Sequence, residues 1–271
     1  MQRETENSMT KEEIKFIPQV KFEMADIDPE AELFWEFIKD DESGRWLEIF
    51  SKRYPELVKE LECVNDKKTG LIICKNFAEK LHQINEKEIL LMKDAFQVEW
   101  KKIEVDFLSV LAECFETTWL KEKSEITGKV TVLPVFPRHL TKYVFYVGHK
   151  DISKMIETSA HEIVHFLWFK KWGEVFPEIS KREYNSPYLV WRLSEIIDPI
   201  ILQCHPKIKE LIKPKGWGYS SFKEIRIGDL NMTDHFKKVY EESVFAGNDF
   251  ATTMKILWVE AQKHEKEISR F

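Results

Sequence analysis

His161, Glu162 and His165 form the pattern H-E-x-x-H inside the strongly helical stretch TSAHEIVHFLWF. Histidines four residues apart lie one turn above the other on the same face of a helix, so both imidazoles can bind a single ion. Glu162 points to the side of that ion, where its carboxylate can take a proton from a bound water. The pattern therefore predicts His161 and His165 as metal ligands and Glu162 as the general base of a hydrolase.

Zinc is the ion that best suits these ligands, because it lowers the pKa of a bound water towards about 7 and polarises a carbonyl without redox chemistry. Two histidines and a glutamate would be costly to bury in an apolar helix without a ligand. The apolar neighbours in this helix are Ile156, Ile163, Val164, Phe166 and Leu167. This context favours a metal site over an accidental match on an amphipathic helix.

The strand-like segment Lys142–Val147 followed by the H-E-x-x-H helix resembles the zincin metallopeptidases, over roughly residues 129–200. In that family an edge strand precedes the active-site helix and binds an extended peptide by β-augmentation. The metzincin extension H-E-x-x-H-x-x-G-x-x-H is absent, because Trp168 and Lys171 stand at its glycine and last histidine positions. The resemblance is therefore to the gluzincin branch, whose third ligand is a glutamate on a later helix, often closely followed by an aspartate.

The resemblance implies that the segment SPYLVWRLSEIID carries the third metal ligand. Glu195 lies among apolar residues there, and a lone buried carboxylate requires a cation. We expect Glu195 to bind the metal. Asp198 should orient one of the histidines by accepting from the ring N–H that does not face the metal. Glu195 follows His165 by 30 residues, a longer gap than is common in gluzincins, and the aspartate comes three residues later instead of four. Other candidate ligands are Asp198 itself, Glu174, Glu178 and His205.

Zincins commonly stabilise the oxyanion with a tyrosine or a histidine. Tyr188 precedes Glu195 by seven residues, which is two turns along the same helix face, and its hydroxyl could reach the substrate. His235 and Tyr240, on a later helix, are the alternatives. His139, between the two predicted strands, is interpreted as a surface histidine, with a specificity or ligand residue as the alternative.

The elements that must position these residues are mostly helical, and the predicted fold class is mainly α with a small β-sheet (α+β). Pro134 indicates that the first strand of the pair before the active-site helix is an edge strand. A helical N-terminal portion is expected at 1–125 and a zincin-like catalytic domain at 126–271. Strands are predicted at 14–22, 129–135 and 143–147. Helices are predicted from 28 to 37, 45 to 63 with a break at Pro55, 71 to 82, 86 to 119 with Asn85 as N-cap, 151 to 172, 186 to 198, 233 to 245 and 249 to 268.

The composition of the chain argues against several other classes of protein. The 271 residues carry a net charge of −6, without the excess of Lys and Arg that binds a phosphate backbone, so we expect no nucleic-acid partner. The polar N-terminus is unlike a signal peptide, and no run of about 18 apolar residues predicts a membrane span. The scattered Cys63, Cys74, Cys114 and Cys204 are interpreted as reduced thiols. These features predict a soluble cytoplasmic protein.

The predicted function is zinc-dependent cleavage of peptide bonds in a peptide or protein substrate. A catalytically inactive zincin-like binding or regulatory protein is the first alternative, although an intact Glu162 argues against it. In a third interpretation the pattern is incidental and the chain is a helical scaffold for partner binding. The oligomeric state is not predicted by any feature of the sequence.

Overall fold

The computed structural model describes residues 16–41, 44–216 and 218–271. Its larger sheet has the strand order β1-β2-β4-β3, in which β1, β2 and β4 are parallel and β3 is antiparallel to β4. The strands are β1 (Gln19–Met24), β2 (Glu125–Thr131), β3 (Arg138–His139) and β4 (Val144–Gly148). A second, two-stranded sheet consists of β5 (Arg226–Ile227) and β6 (Leu230–Asn231).

Helices make up most of the described chain, so the predicted class, mainly α with a small sheet, is confirmed. A π-helical turn at Glu36–Asp40 follows the first helix, and a 3-10 turn at Lys181–Tyr184 precedes the seventh. No helix of the described residues is both long enough and apolar enough to cross a bilayer. The helices are α1 (Ile27–Trp35), α2 (Arg45–Arg53), α3 (Pro55–Glu62), α4 (Lys67–Lys101), α5 (Glu104–Cys114), α6 (Ile152–Val175), α7 (Leu189–Cys204), α8 (Pro206–Ile212), α9 (Ser221–Glu224), α10 (Met232–Phe245), α11 (Phe250–Lys263) and α12 (Glu265–Ile268).

The helix α4 corrects the prediction of a helix end near residue 82 and a new start at Asn85. Asn85 does not cap a helix, because its Nδ2 donates to the carbonyl of Leu81 at 2.7 Å from within α4. The actual N-cap is Asp66, whose carboxylate accepts from the amide of Thr69 at 2.8 Å. No proline interrupts α4, so the helix continues for 35 residues and breaks only before α5.

The helix of the H-E-x-x-H pattern has Asp151 as its N-cap, one of the two starts that the sequence offered beside Ser153, and the Asp151 carboxylate accepts from the amide of Lys154 at 2.9 Å. It runs past the predicted end at Trp172 to Val175. Gly173 is inside the helix and does not end it. A Cβ at this position would lie 3.3 Å from the hydroxyl of Tyr184, so the glycine permits a close approach of the next segment.

The helix expected at 186–198 is α7, which begins three residues later and continues to Cys204. Pro199 lies inside this helix, in contrast to the helix end predicted before it. Proline has no amide hydrogen, so the carbonyl of Glu195 loses its helical partner at this point. Tyr188 occupies the N-cap position of α7.

The strand predicted at the sheet edge, Lys142–Val147, corresponds to β4, and β4 pairs on both sides. The edge is taken by the two-residue strand β3, whose Arg138 pairs with Phe145 and whose His139 pairs with Val144. Pro134 does not mark an edge either, because β2 ends at Thr131 and lies between β1 and β4. The chain after Pro134 folds back on β4 and supplies the edge strand.

The sheet joins the two portions expected on either side of residue 125. The strand β1, predicted at 14–22 and found at 19–24, pairs with β2 from Gln19↔Glu125 to Met24↔Val130. Residues 14 and 15 lie outside the described residues. The buried Glu30 accepts from the amide of Val132 at 3.3 Å and contacts the hydroxyl of Thr131. The hydrophobic core also continues from one portion into the other.

Candidate metal centre

Three side chains from α6 and α7 converge on one point. His161 Nε2 lies 3.2 Å from His165 Nε2 and 3.2 Å from Glu195 Oε2, while His165 Nε2 lies 3.4 Å from Glu195 Oε1. Ligand atoms about 2.05 Å from a tetrahedral zinc ion are about 3.3 Å apart. The three side chains therefore present donor atoms of the types and spacing that a single zinc ion requires, with a different oxygen of Glu195 facing each histidine.

Of the candidate third ligands, Glu195 is the one whose carboxylate contacts both histidines. Glu174 is on the last turn of α6, 45% exposed, and pairs with Lys170 at 2.8 Å. Glu178 is exposed in the turn that follows α6. His205 lies between α7 and α8, where its Nδ1 accepts from a backbone amide. These three residues lie apart from the histidine pair.

Asp198 lies behind His165, as expected for an orienting carboxylate. Its Oδ2 is 2.6 Å from His165 Nδ1, and both side chains are fully buried. Neither Asp198 oxygen has a well-aligned hydrogen-bond donor among the described residues. Burial raises the pKa of Asp198 and lowers that of His165. Without a cation, these shifts favour a protonated Asp198 and a neutral His165. A cation bound to His165 Nε2 would instead favour an ionised Asp198 that accepts from Nδ1–H of His165.

Glu162 lies beside the three donor atoms and lines the same cleft, with 5% of its surface exposed. Burial raises its pKa, although Arg138 and His161 act in the opposite sense. Burial lowers the pKa of His161, but the Glu195 carboxylate outweighs it and raises that pKa to about 9. The sequence-predicted ligands and base therefore lie together in one buried and charged cluster.

Arg138 is a member of this cluster that the sequence analysis did not identify. Its Nη1 lies 3.3 Å from Glu162 Oε2 and 3.1 Å from Glu195 Oε1, and the side chain is 10% exposed. Arg138 lies on the edge strand β3, and its guanidinium is 5.8 Å from the ring of Phe169 on α6. Its neighbour His139, interpreted from the sequence as a surface residue, is half-buried and also lines the cleft.

The predicted oxyanion donors are at different places. Tyr188 lines the cleft, and its ring lies 5.4 Å from the guanidinium of Arg182. His235 is not among the residues that line the cleft, because its Nε2 pairs with Glu260 on α11 at 2.9 Å. Tyr240 is buried in α10 beside Cys114, and burial raises its pKa. The structure thus brings Tyr188 to the cleft and places His235 and Tyr240 elsewhere.

Tyr219 is a second residue of the cleft that the sequence analysis did not identify. Its ring lies 4.3 Å from the guanidinium of Arg45, and burial together with the charges of Glu195 and Glu162 raises its pKa. The segment before it is held by Gln203, whose Nε2 donates to the carbonyl of Gly216 at 2.9 Å. The signal in the sequence is the glycine-rich run around Tyr219. Gly218 has a φ of +80°, which favours glycine.

The cleft has a volume of about 1750 Å³ and is open on the side of His161. The His161 side chain is 20% exposed, whereas that of His165 is fully buried. The edge strand β3 lines the cleft, so an extended chain could lie beside it. The aromatic residues lining the cleft include Trp46, Phe136, Phe169, Tyr184, Tyr188, Trp191 and Tyr219.

Comparison with models of protein families, with curated proteins and with solved structures finds no match to this chain. A fold by itself does not define an activity, so the function is inferred from the chemistry of the side chains in the cleft.

Proposed function

We propose that this protein is a zinc-dependent metallohydrolase of the gluzincin type that cleaves peptide bonds in a peptide or protein substrate. The observation that carries the proposal is the convergence of His161, His165 and Glu195 in an open cleft, with Glu162 beside them. Two histidines and one carboxylate, with a further position left open, are a ligand set typical of catalytic zinc. Asp198 behind His165 supports the proposal, because metal-binding histidines usually donate their other N–H to such a group.

The residues have distinct roles in this reaction. A bound zinc ion would lower the pKa of water and polarise the substrate carbonyl. Glu162 takes the proton of the attacking water on its carboxylate and returns it to the leaving amine. Asp198 accepts from Nδ1–H of His165 and thereby keeps Nε2 free as a donor atom. A tyrosine hydroxyl, from Tyr219 or from Tyr188, donates to the developing oxyanion.

The cleft supports an extended substrate. The edge strand β3 lines it and pairs with β4 on one side, so its other side is available for a peptide strand. The aromatic lining offers apolar surface to substrate side chains. We propose peptides as the substrate class on these two grounds.

A catalytically inactive binding protein of the same fold is favoured by one observation. Arg138 lies within 3.3 Å of Glu162, so the carboxylate proposed as the base already has a cationic partner. A base held in an ion pair is weaker, unless substrate or metal binding moves the arginine. Turnover separates the two functions, because the inactive protein would bind zinc and peptides without cleaving them.

Glu162→Gln tests the proposal. The amide cannot accept the proton of water, so turnover of a broad peptide library should fall by about 10²- to 10⁴-fold while the zinc content stays at the wild-type value. The matched control is Glu178→Gln, at an exposed position after α6, which should retain both. Zinc is measured by mass spectrometry on protein purified without chelator or metal affinity.

Two outcomes would contradict the proposal. Undiminished turnover in Glu162→Gln would remove the role of general base. A zinc content that is unchanged when His161 and His165 are both replaced by alanine would remove the metal centre itself. Zinc binding without any turnover in the wild type would favour the inactive binding protein.

We also propose that the protein is cytoplasmic. All four cysteines are free thiols in the structure, which is typical of chains in a reducing compartment.

A further inference from the structure

A second group of metal-binding side chains lies outside the cleft, where the end of α11 meets α10. It consists of His235 on α10, Glu260 on α11 and His264 directly after α11. Glu260 Oε1 lies 2.9 Å from His235 Nε2 and 3.2 Å from His264 Nε2. The donor atoms of the three residues all lie within 4.8 Å of one another. Two imidazoles and one carboxylate therefore point at a common position.

The spacing of these atoms resembles that of the centre in the cleft. Ligands of a tetrahedral zinc ion are about 3.3 Å apart, and the two measured distances are close to this value. In the cleft the corresponding distances are 3.2 and 3.4 Å. Glu260 and His264 are four residues apart, so the end of one helix supplies two of the three donors.

The neighbours of the group leave the donor atoms available. Lys263 binds the other carboxylate oxygen of Glu260, Oε2, at 2.9 Å, so Oε1 stays directed at the histidines. Burial would raise the pKa of Glu260, but Lys263 and His235 outweigh it and lower that pKa. Glu267 Oε2 is 3.9 Å from Nδ1 of His264, on the side away from Glu260. At this distance Glu267 makes no hydrogen bond to the imidazole and contributes only a negative charge near it.

The three side chains are accessible to an ion from solvent. Those of His235, Glu260 and His264 are 19%, 17% and 28% exposed. Without a metal, the two histidines could contact the carboxylate only as N–H donors that share one oxygen. A divalent cation would satisfy all three groups at once, because imidazole and carboxylate are ligands of zinc and of neighbouring transition metals.

We propose that His235, Glu260 and His264 form a second site for a divalent transition-metal ion, zinc by its ligand types, separate from the cleft. The site would fasten the end of α11 to α10. The short helix α12 follows His264 directly and contacts α7, the helix that carries Glu195. This proposal does not depend on hydrolase activity.

Counting zinc ions in matched variants tests the site. Full-length protein is stripped with chelator and titrated with zinc chloride at micromolar free metal, and the bound zinc is measured after gel filtration. We expect two zinc ions per wild-type chain and one in His264→Ala. Glu260→Gln keeps the shape of the side chain and should also bind one ion, which covers the case in which the alanine variant fails to fold. Lys263→Ala, which removes no ligand, should bind two.

The double variant His161→Ala/His165→Ala isolates the second site. It should bind one zinc ion, and zinc should raise its melting temperature. Addition of Glu260→Gln to this variant should abolish both effects. Wild-type protein that binds a single ion, with no loss in His264→Ala or Glu260→Gln, would overturn the second site. A loss of zinc in Glu260→Gln, with none in the double variant, would overturn the cleft centre and leave the second site standing.

Discussion

Arg138 holds two buried carboxylates of the cleft at once. Its Nη1 lies between Glu162 and Glu195, at 3.3 and 3.1 Å, and each of these side chains is 10% exposed or less. Buried charges are costly unless they are paired. In the metal-free protein the guanidinium supplies positive charge near these carboxylates together with His161, whose pKa is raised to about 9. A bound zinc ion would bring a further two positive charges to the same place.

Arg138→Ala should therefore destabilise the metal-free protein more than the zinc-loaded protein. The loss of the buried partner should cost about 3 kcal/mol of unfolding free energy without zinc, and clearly less with zinc bound. The measurement is chemical denaturation of stripped and zinc-loaded protein. Arg182→Ala, at an exposed arginine of the same cleft, is the control and should change little. An equal loss in both states would contradict the shared electrostatic role.

The two tyrosines of the cleft differ in their surroundings. The ring of Tyr219 lies 4.3 Å from the guanidinium of Arg45, and the charges of Glu195 and Glu162 raise its pKa, whereas Tyr188 is at the start of α7 and contacts Arg182. A hydroxyl that donates to the oxyanion acts on the transition state and not on the bound substrate.

Tyr219→Phe should lower kcat by about 10²-fold with little change in KM. Tyr188→Phe, the matched variant in the same cleft, should have a smaller effect. Steady-state kinetics on one peptide substrate measures both. A larger loss of kcat in Tyr188→Phe would assign the hydroxyl role to that residue, as the spacing to Glu195 predicts.

At the scale of elements, the cleft depends on how α6, α7 and the segment before α9 approach each other. Gly173 permits contact between α6 and Tyr184, and Gly218 permits contact with α7. A Cβ at Gly218 would lie 3.2 Å from Pro199 and 3.0 Å from the ring of Phe222. The next residue is Tyr219, so the backbone at Gly218 sets the position of that phenol.

Gly218→Ala should cost about 1–2 kcal/mol of stability from its positive φ and should also displace Tyr219. Gly247→Ala is the matched control, since this glycine has a φ of +76° and a Cβ added there would meet no other atom within 4 Å. Both variants should lose similar backbone stability, but only Gly218→Ala should lose turnover. Denaturation curves and kcat measure the two effects. Full activity in Gly218→Ala would show that the position of Tyr219 does not matter for turnover.

At the scale of the whole molecule, the N-terminal portion is part of the structure that carries the cleft. The strand β1 pairs with β2 along its whole length, and Glu30 and Tyr54 bind the backbone of Val132 directly after that strand. Without β1, the inner strand β2 would become an unpaired edge, and buried apolar surface would face water. The core is therefore completed by residues on both sides of the predicted boundary.

A fragment of residues 126–271 should consequently fail to fold cooperatively, with or without zinc. Circular dichroism during thermal unfolding measures this, with the full chain as the reference. A fragment that melts in a single sharp transition and binds zinc at His161 and His165 would show that 126–271 is an independent domain.

The local part of the centre could be predicted from the sequence because it depends on one helix. The spacing of His161 and His165 determines that they share a face, wherever that helix lies. Glu195 could be predicted as a partner because a lone carboxylate in an apolar helix requires a buried counter-charge, and Asp198 because the resemblance to gluzincins implies an aspartate soon after the glutamate. The helix ends were harder to predict. Asn85 and Pro199 are residue types that often mark a helix boundary. Both lie inside helices, because the neighbouring turns and the packing of α4 and α7 keep the helical conformation there.

The tertiary structure determines which other side chains line the cleft around this centre. Arg138 does so because a two-residue strand pairs with β4, and Tyr219 does so because Gln203 and Glu157 hold the preceding segment. His235 was a candidate by type, but the packing of α10 against α11 directs it to Glu260. Helical periodicity depends on residues that are close in the sequence, whereas strand pairing and loop position depend on contacts between residues far apart in the chain.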